Sequence, residues 1–329
     1  RAMRTDFNNN LDPQDVGTRS RMLVSSIQKL ITESRPDLGP VAQDLAVAAM
    51  EAAGFKKPVP RKTGKEMQGA PETGYLVFLS QRQLESLAAA AIEASGEENP
   101  LNAMKAAKVK DLVDSDHSVD IALFGRMVAD SADLNVDAAV QVAHAISVHE
   151  AIPEYDFYTA VDDAKSRNAD EEDAGAGMMG TVGFVSSTLY RYAAVNLDQL
   201  RINLGEDEAV RLALEAFVRS FINSMPSGKQ NTFANGTRPS AVLVTVAEGQ
   251  PSSLVGAFEQ PLRSSNGYVA PAVAALAKHA AEVFETWRQP SQVWVTGTPS
   301  EVGALAELGE VRSLEELVSA AGISALESE

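Results

Sequence analysis

The chain has 329 residues, enough for about two ordinary domains or one elaborated domain. A hydrophobic fraction of 45% and an aromatic fraction of 6% are those of a soluble globular protein, and the lack of cysteine excludes disulfides and thiolate metal sites. Lys plus Arg is 28 against 45 Asp plus Glu, a net charge of −17, so composition excludes a binder with a broad basic face and leaves an acidic enzyme, a scaffold, or a protein whose cations are gathered in one groove.

In chain order, Met22, Leu23, Ile27, Leu30 and Ile31 follow helical spacing within 15–33, and a second helix is expected over 41–53, closed by Gly54. Lys56-Lys57-Pro58-Val59-Pro60-Arg61-Lys62-Thr63-Gly64-Lys65 reads as an exposed basic loop. Tyr75 to Leu79 is a short buried strand. Ser80 and Gln83 then form a capping box for a helix striped by Leu84, Leu87, Ala91 and Ile92. After Gly96 one helix is expected to carry Met104, Lys105, Lys108, Val109 and Lys110. Val119, Ile121 and Leu123 alternate with Asp120 and Ala122, which predicts a strand broken at Gly125-Arg126-Met127. Val140, Val142, Ile146 and Val148 alternate as well, with a helix as the rival reading because of the intervening alanines.

Residues 153–183 are glycine-rich and acidic with little periodicity, the signature of a functional or disordered loop. Beyond them the pattern predicts a strand over 184–197, a helix over 206–225, a strand over 241–246, a helix over 269–287, a strand over 292–295 and a helix over 313–321 opened by Ser313 and Glu316. Strands and helices mix throughout, an α+β pattern. No apolar run approaches the roughly 20 residues of a membrane span, and no signal peptide is visible. The chain opens at Arg1 within a basic stretch, so upstream sequence is expected.

The four histidines give little catalytic signal. His144 and His149 are five apart, against the four of a helical zinc pair, and local hydrogen bonding is the simpler reading. Asp162 and Asp163 could serve a metal, though adjacent loop acids more often form a solvated turn. No nucleophile elbow, P-loop or dinucleotide fingerprint is present. Arg1, Arg4, the 56–65 loop, Lys105, Lys108, Lys110, Arg126 and Lys229 are candidate phosphate contacts, each also readable as a surface charge. Met127 reads equally as a wedge between bases or as core. Tyr158, Thr159, Met178 and Met179 could stack on or part bases, or simply anchor the irregular segment.

Six strings stand out: Arg1-Ala2-Met3-Arg4, Asp120-Ile121-Ala122-Leu123-Phe124-Gly125-Arg126-Met127, Ala143-His144-Ala145-Ile146, Tyr158-Thr159-Ala160-Val161-Asp162-Asp163, Leu189-Tyr190-Arg191-Tyr192-Ala193 and Lys229-Gln230-Asn231-Thr232. Together, in order and separation, they resemble the CasC family, the repeated backbone subunit of type I-E Cascade. The resemblance implies an RNA-recognition-motif-like (ferredoxin-like) palm over 1–14, 141–150 and 189–329, mainly helical fingers over 15–140, and an extended thumb hairpin over 151–188. The Ser-rich part of the first motif and the first palm strand are expected upstream.

What the resemblance implies about function is a cytoplasmic RNA-binding filament subunit that is not an enzyme. Its partners would be the CRISPR RNA, target DNA paired through that guide, further copies of itself and other Cascade subunits, with no membrane, metal or cofactor. The resemblance assigns Arg1, Arg4, Lys105 and Lys108 to the RNA backbone, Met127 to the bases, and Tyr158, Thr159 and Met179 to displacing a base at intervals; Arg126 and Lys229 stay candidate phosphate contacts. Phosphate contacts and steric wedges carry no sequence information, which suits a protein that must hold any guide. The competing reading is a metal-dependent nuclease using Asp162 and Asp163.

Overall fold

The computed structural model describes residues 1–63, 66–160 and 178–327. The chain is α+β and divides into two compact units. The first comprises 1–141, 193–239 and 312–329; the second comprises 142–192 and 240–311.

The first unit opens with helix α1 (Ala2–Asn10) and strand β1 (Thr18–Ser20). Helices α2 (Leu23–Ser34) and α3 (Ala42–Ala52) follow. Gly54, at φ +92°, ends the second of these in a conformation that suits glycine. Lys56 and Lys57 lead into an antiparallel pair, β2 (Val59–Thr63) and β3 (Glu66–Glu72), so the expected basic loop is a hairpin. Alternating Val59, Arg61 and Thr63 suffice for a ladder, and the two prolines sit opposite each other at Pro60 and Pro71, beside a register shift that accommodates their missing donors.

Strand β4 (Val77–Leu79) is buried throughout and pairs with β1. Helix α4 (Gln81–Glu93) starts with the expected capping box, in which Gln83 N donates to Ser80 Oγ at 3.0 Å and Ser80 N donates to Gln83 Oε1 at 3.0 Å. Leu23, Ile27 and Ile31 pack with Leu45, Met50, Leu84 and Leu87 as one core. The single helix expected after Gly96 is two pieces, α5 (Pro100–Ala106) and a 3-10 turn over Val109–Val113. Lys108 separates them in a left-handed conformation at φ +55°.

The strand expected at 119–123 is a helix, α6 (Val119–Phe124), with Val119 through Leu123 all buried. The alternation misleads because Asp120 is not a solvent-facing polar residue. Its side chain is fully buried, and its Oδ1 accepts from Gly17 N at 2.8 Å and Ser118 Oγ at 2.7 Å, while Oδ2 accepts from Arg4 Nε at 2.7 Å. Gly17 must be glycine to come this close, since a Cβ there would lie 2.6 Å from Phe78 and 2.7 Å from Ser118 Oγ. Gly125 closes the helix at φ +76°.

Strand β5 (Val140–Val142) runs from the first unit into the second. There β6 (Ile146–Ser147), β7 (Glu154–Ala160), β8 (Met178–Phe184) and β9 (Leu189–Tyr190) occur in sequence. The 153–183 stretch is therefore not irregular over its described ends, where β7 and β8 pair antiparallel. The long strand expected over 184–197 is likewise divided into the end of β8, β9 and β10 (Ala193–Val195). Strand β10 returns to β5 in the first unit. Helices α7 (Leu197–Leu204), α8 (Asp207–Asn223) and α9 (Gln230–Phe233) follow, and Phe7, Leu123, Leu200, Val210 and Phe217 form a second core.

The rest of the second unit is β11 (Ala241–Val246), α10 (Val269–Thr286), β12 (Gln292–Gly297) and β13 (Glu310–Val311), a three-stranded sheet with one helix. Helix α11 (Leu314–Glu327), opened by Ser313 and Glu316, completes the first unit against α8.

Replacing Asp120 with Ala leaves the half-buried Arg4 guanidinium without its carboxylate and the Gly17 N–H without its acceptor. Urea unfolding should show a loss of about 3 kcal/mol, the range for one missing partner of a buried pair. A loss no larger than that of a surface alanine would remove the carboxylate from its place in this account.

Candidate nucleic-acid interface

In the first unit the chain turns sharply at Gly125, where a Cβ would come within 2.7 Å of Val136 O. Arg126 and Val136 exchange main-chain hydrogen bonds at 3.0 and 2.8 Å, which closes a loop over 126–136. Arg126 is only 3% exposed, whereas Met127 beside it is 83% exposed and Val128 is buried again. The sequence left Met127 between wedge and core, and in the isolated chain it is not core.

Arg126 itself does not face outward. Its Nε donates to Leu134 O at 2.9 Å and its Nη2 to Val113 O at 2.8 Å. Burial lowers its pKa to about 10 against the opposing pull of Asp114, so it remains a cation at neutral pH. A phosphate contact through this guanidinium does not fit its placement.

The other candidate cations are scattered in role. Arg4 is committed to Asp120 and Gly17 O, with its guanidinium 4.6 Å from the Phe78 ring centre. Arg1 is exposed at the start of α1. Lys105 pairs with Glu51 at 3.7 Å, and Lys110 pairs with Asp133. Lys108 and Lys229 are exposed, and both hold positive φ, +55° and +59°. Side chains rarely adopt that conformation, and where they do the strain is frequently tied to function. The sequence carried no signal for it, because a lysine stands at each position where Gly or Asn usually takes the left-handed conformation.

In the second unit the β7–β8 hairpin presents Tyr155, Phe157, Tyr158, Met178 and Met179, all exposed. Register places Thr159 opposite Met179 and Tyr158 opposite Gly180. Directly opposed residues share a face and neighbours along a strand alternate, so Thr159 and Met179 lie together while Tyr158 lies on the other side. Phe157, opposite Thr181, shares the Thr159 face; the sequence reading passed over it, although the alternation Tyr155, Phe157, Thr159 could have shown it. The Tyr158 ring lies across Gly180, where a Cβ would be 2.7 Å from the hydroxyl.

Asp162 and Asp163 lie outside the described residues. Among those described, no group of three or more His, Cys, Asp or Glu could hold a metal ion, and no helix is long and apolar enough to cross a membrane. His149 follows its simpler reading: it stacks on Tyr268 at 3.8 Å, its Nδ1 lies 2.7 Å from Glu150 O, and Thr188 N donates to its Nε2 at 3.1 Å.

With this geometry in place, the comparisons are specific. The family model described as CT1975-like protein matches residues 1–320. A solved chain of a "CRISPR RNA-guided surveillance complex, pre-nicking" is 32% identical, with a TM-score of 0.78, and the match covers 99% of this chain and 88% of that one. A chain of another "CRISPR RNA-guided surveillance complex" is 28% identical, with a TM-score of 0.70 and coverage of 98% and 87%. No curated protein sequence matches. The family and structural matches agree with the resemblance read from the motif strings.

His117, which feels the Arg126 charge, gives the first unit a pH dependence. Burial, and then the Arg126 charge, lowers the pKa of His117 to about 4, while Asp114 and Asp116 pull the other way. Gln83 Nε2 lies 3.1 Å from His117 Nδ1. Between pH 6.5 and about 4 the unfolded chain takes up a proton that folded His117 refuses, so stability falls as pH drops through that window and levels off below it. Urea unfolding at pH 7 and pH 4.5 should show a loss larger in wild type than in His117→Gln by about 2 kcal/mol, discounted for part exposure. Equal losses in the two proteins would place the acid sensitivity elsewhere.

Proposed function

This chain belongs to the CT1975-like family, and we propose that it is the CRISPR RNA-binding backbone subunit of a Cascade surveillance complex of type I-E. It polymerises along the guide RNA, presents that RNA for pairing with invading DNA, and is not itself an enzyme. Its palm is RNA-recognition-motif-like, over 1–14, 141–150 and 189–329, with fingers over 15–140 and a thumb over 151–188.

The observation that carries this reading is the β7–β8 hairpin. Its two seven-residue strands pair with each other, and β7 is exposed along its whole length. A lone two-stranded ribbon is marginal in water, and this one displays two methionines and three aromatic rings to solvent. Such a ribbon is completed by another chain or by nucleic acid. In the proposed filament its neighbours are the next copy and the guide, with Thr159 and Met179 parting bases from one face and Tyr158 bracing the other. Arg1, Lys108 and Lys229 supply phosphate contacts from exposed positions, and Met127 packs against bases. Because these groups read shape and charge alone, any spacer sequence is accepted.

Co-expression of the chain with the other complex subunits, purification and sequencing of the bound nucleic acid provides the test. A discrete RNA of uniform length with repeat-derived ends is expected. No RNA, or random fragments lost in moderate salt, would leave only an acidic scaffold. Incubation of the same complex with labelled RNA and magnesium checks the nuclease reading, and intact RNA is expected.

The strained lysine gives a sharper prediction. Lys108→Gly relieves a left-handed side chain, so thermal stability should hold or rise slightly. RNA binding should nonetheless weaken, with the magnitude of the log–log salt slope reduced by about 0.7, the value for one phosphate contact on a single strand. An unchanged slope would take Lys108 out of the interface.

A further inference from the structure

We infer that Arg126 is the positioning residue of Met127: its guanidinium is clamped to two main-chain carbonyls and holds the methionine in solvent without meeting RNA itself. The inference rests on the proposed function for its purpose, but its geometry stands independently.

Burying a cation is costly, and the usual compensation is a carboxylate. Arg126 has no ion pair among the described residues; its side chain bonds there to Leu134 O and Val113 O, and its Nη1 has no hydrogen-bond partner. Packing alone would have been better served by an apolar side chain. What the guanidinium accomplishes is to tie three segments together. Leu134 belongs to the far side of the 126–136 loop, and Val113 ends the 3-10 turn that follows Lys108. Arg126 N and O bond to Val136, so the residue is fixed at both its side chain and its main chain.

The other flank of Met127 is fixed as well. Val128 N donates to Asn135 Oδ1 at 2.6 Å, and the Val128 side chain is buried in the core of α2–α4. With both neighbours held inward, Met127 is 83% exposed and cannot fold back. A flexible thioether kept in water at this exposure has its desolvation still to come, so docking against a base starts from an ordered main chain. Gly125 extends the device, since its positive φ aims Arg126 inward directly after α6.

The same clamp separates Arg126 from the phosphate role. A phosphate contact needs only the positive charge, which lysine retains. A fork across two carbonyls needs the planar guanidinium, which lysine lacks. Full-length wild type, Arg126→Lys, Met127→Ala and the double variant are therefore titrated with a fluorescein-labelled mixed-sequence single-stranded RNA over a range of salt. Arg126→Lys and Met127→Ala should each weaken binding about tenfold, with the salt slope unchanged, and the double variant should bind no worse than Met127→Ala. Multiplying effects, or wild-type affinity in Arg126→Lys, would overturn the clamp.

If Arg126→Lys does not fold, Asn135→Ala releases the opposite flank and enters the same cycle. A direct readout comes from the main-chain amide resonance of Met127 in the RNA-free protein, which should narrow and shift toward a disordered main chain in either clamp variant. An unaltered resonance refutes the positioning role. This spectrum needs no RNA, so wild type that fails to bind RNA would count against the proposed function alone.

Discussion

A single buried carboxylate organises the region on which the interface stands. Asp120 gathers α1 through Arg4, the segment before β1 through the Gly17 N–H, and its own helix start through Ser118. Each donor is a main-chain or side-chain group that burial would otherwise leave unsatisfied, so the three hydrogen bonds are needed together. Their joint effect is to fix where α6 begins. Because α6 is barely more than a turn and a half and ends at a left-handed glycine, fixing its start also fixes the direction in which Arg126 and Met127 leave it.

That carboxylate also marks the limit of what periodicity could reveal. Where polar residues face water, the sequence was informative. The capping boxes at Ser80 and Ser313, the stripe of α8, and the strands β4, β11 and β12 lie where spacing puts them. Where a polar residue is buried with partners, alternation pointed to the wrong element. Val119 to Leu123 reads as a strand only if Asp120 faces solvent, and its partners are Arg4, distant in sequence by 116 positions, and Gly17, by 103. No local pattern encodes such pairs. The division of α5 from the following 3-10 turn escaped for a related reason: a lysine, not a glycine, takes the left-handed position.

The candidate interface was legible by residue type but not by role. The motif strings, and the family resemblance they carry, brought Arg1, Arg4, Arg126, Met127, Tyr158, Thr159 and Met179 into one list. The structure sorts them by what each side chain touches. Arg4 and Arg126 are spent on the fold, Met127 and Met179 are free in water, and Thr159 and Tyr158 occupy opposite faces of one ribbon. Sequence adjacency hides that last distinction because the side-chain period of a strand is two. It also hid Phe157, which shares a face with Met179's partner while its neighbour Tyr158 attracted the attention.

If the proposed function holds, an acidic chain that holds RNA needs its few cations to be well placed and its remaining contacts to be neutral. The arrangement here has that form. Arginine is used where a planar fork must hold main-chain carbonyls or a carboxylate, while exposed lysines stand at strained corners. Apolar wedges carry no charge and so add affinity without adding non-specific attraction to other nucleic acids. A wedge on a flexible loop would lose much of that gain in ordering cost, and the two devices avoid this differently. The Met127 loop is ordered in advance by buried hydrogen bonds on both sides. The β7–β8 ribbon is ordered by its own ladder and by the Tyr158 ring over Gly180, and its exposed face is left for whatever covers it. Under the proposed function, guide binding and subunit assembly would be one event at the ribbon, with the methionine loop ordered before either.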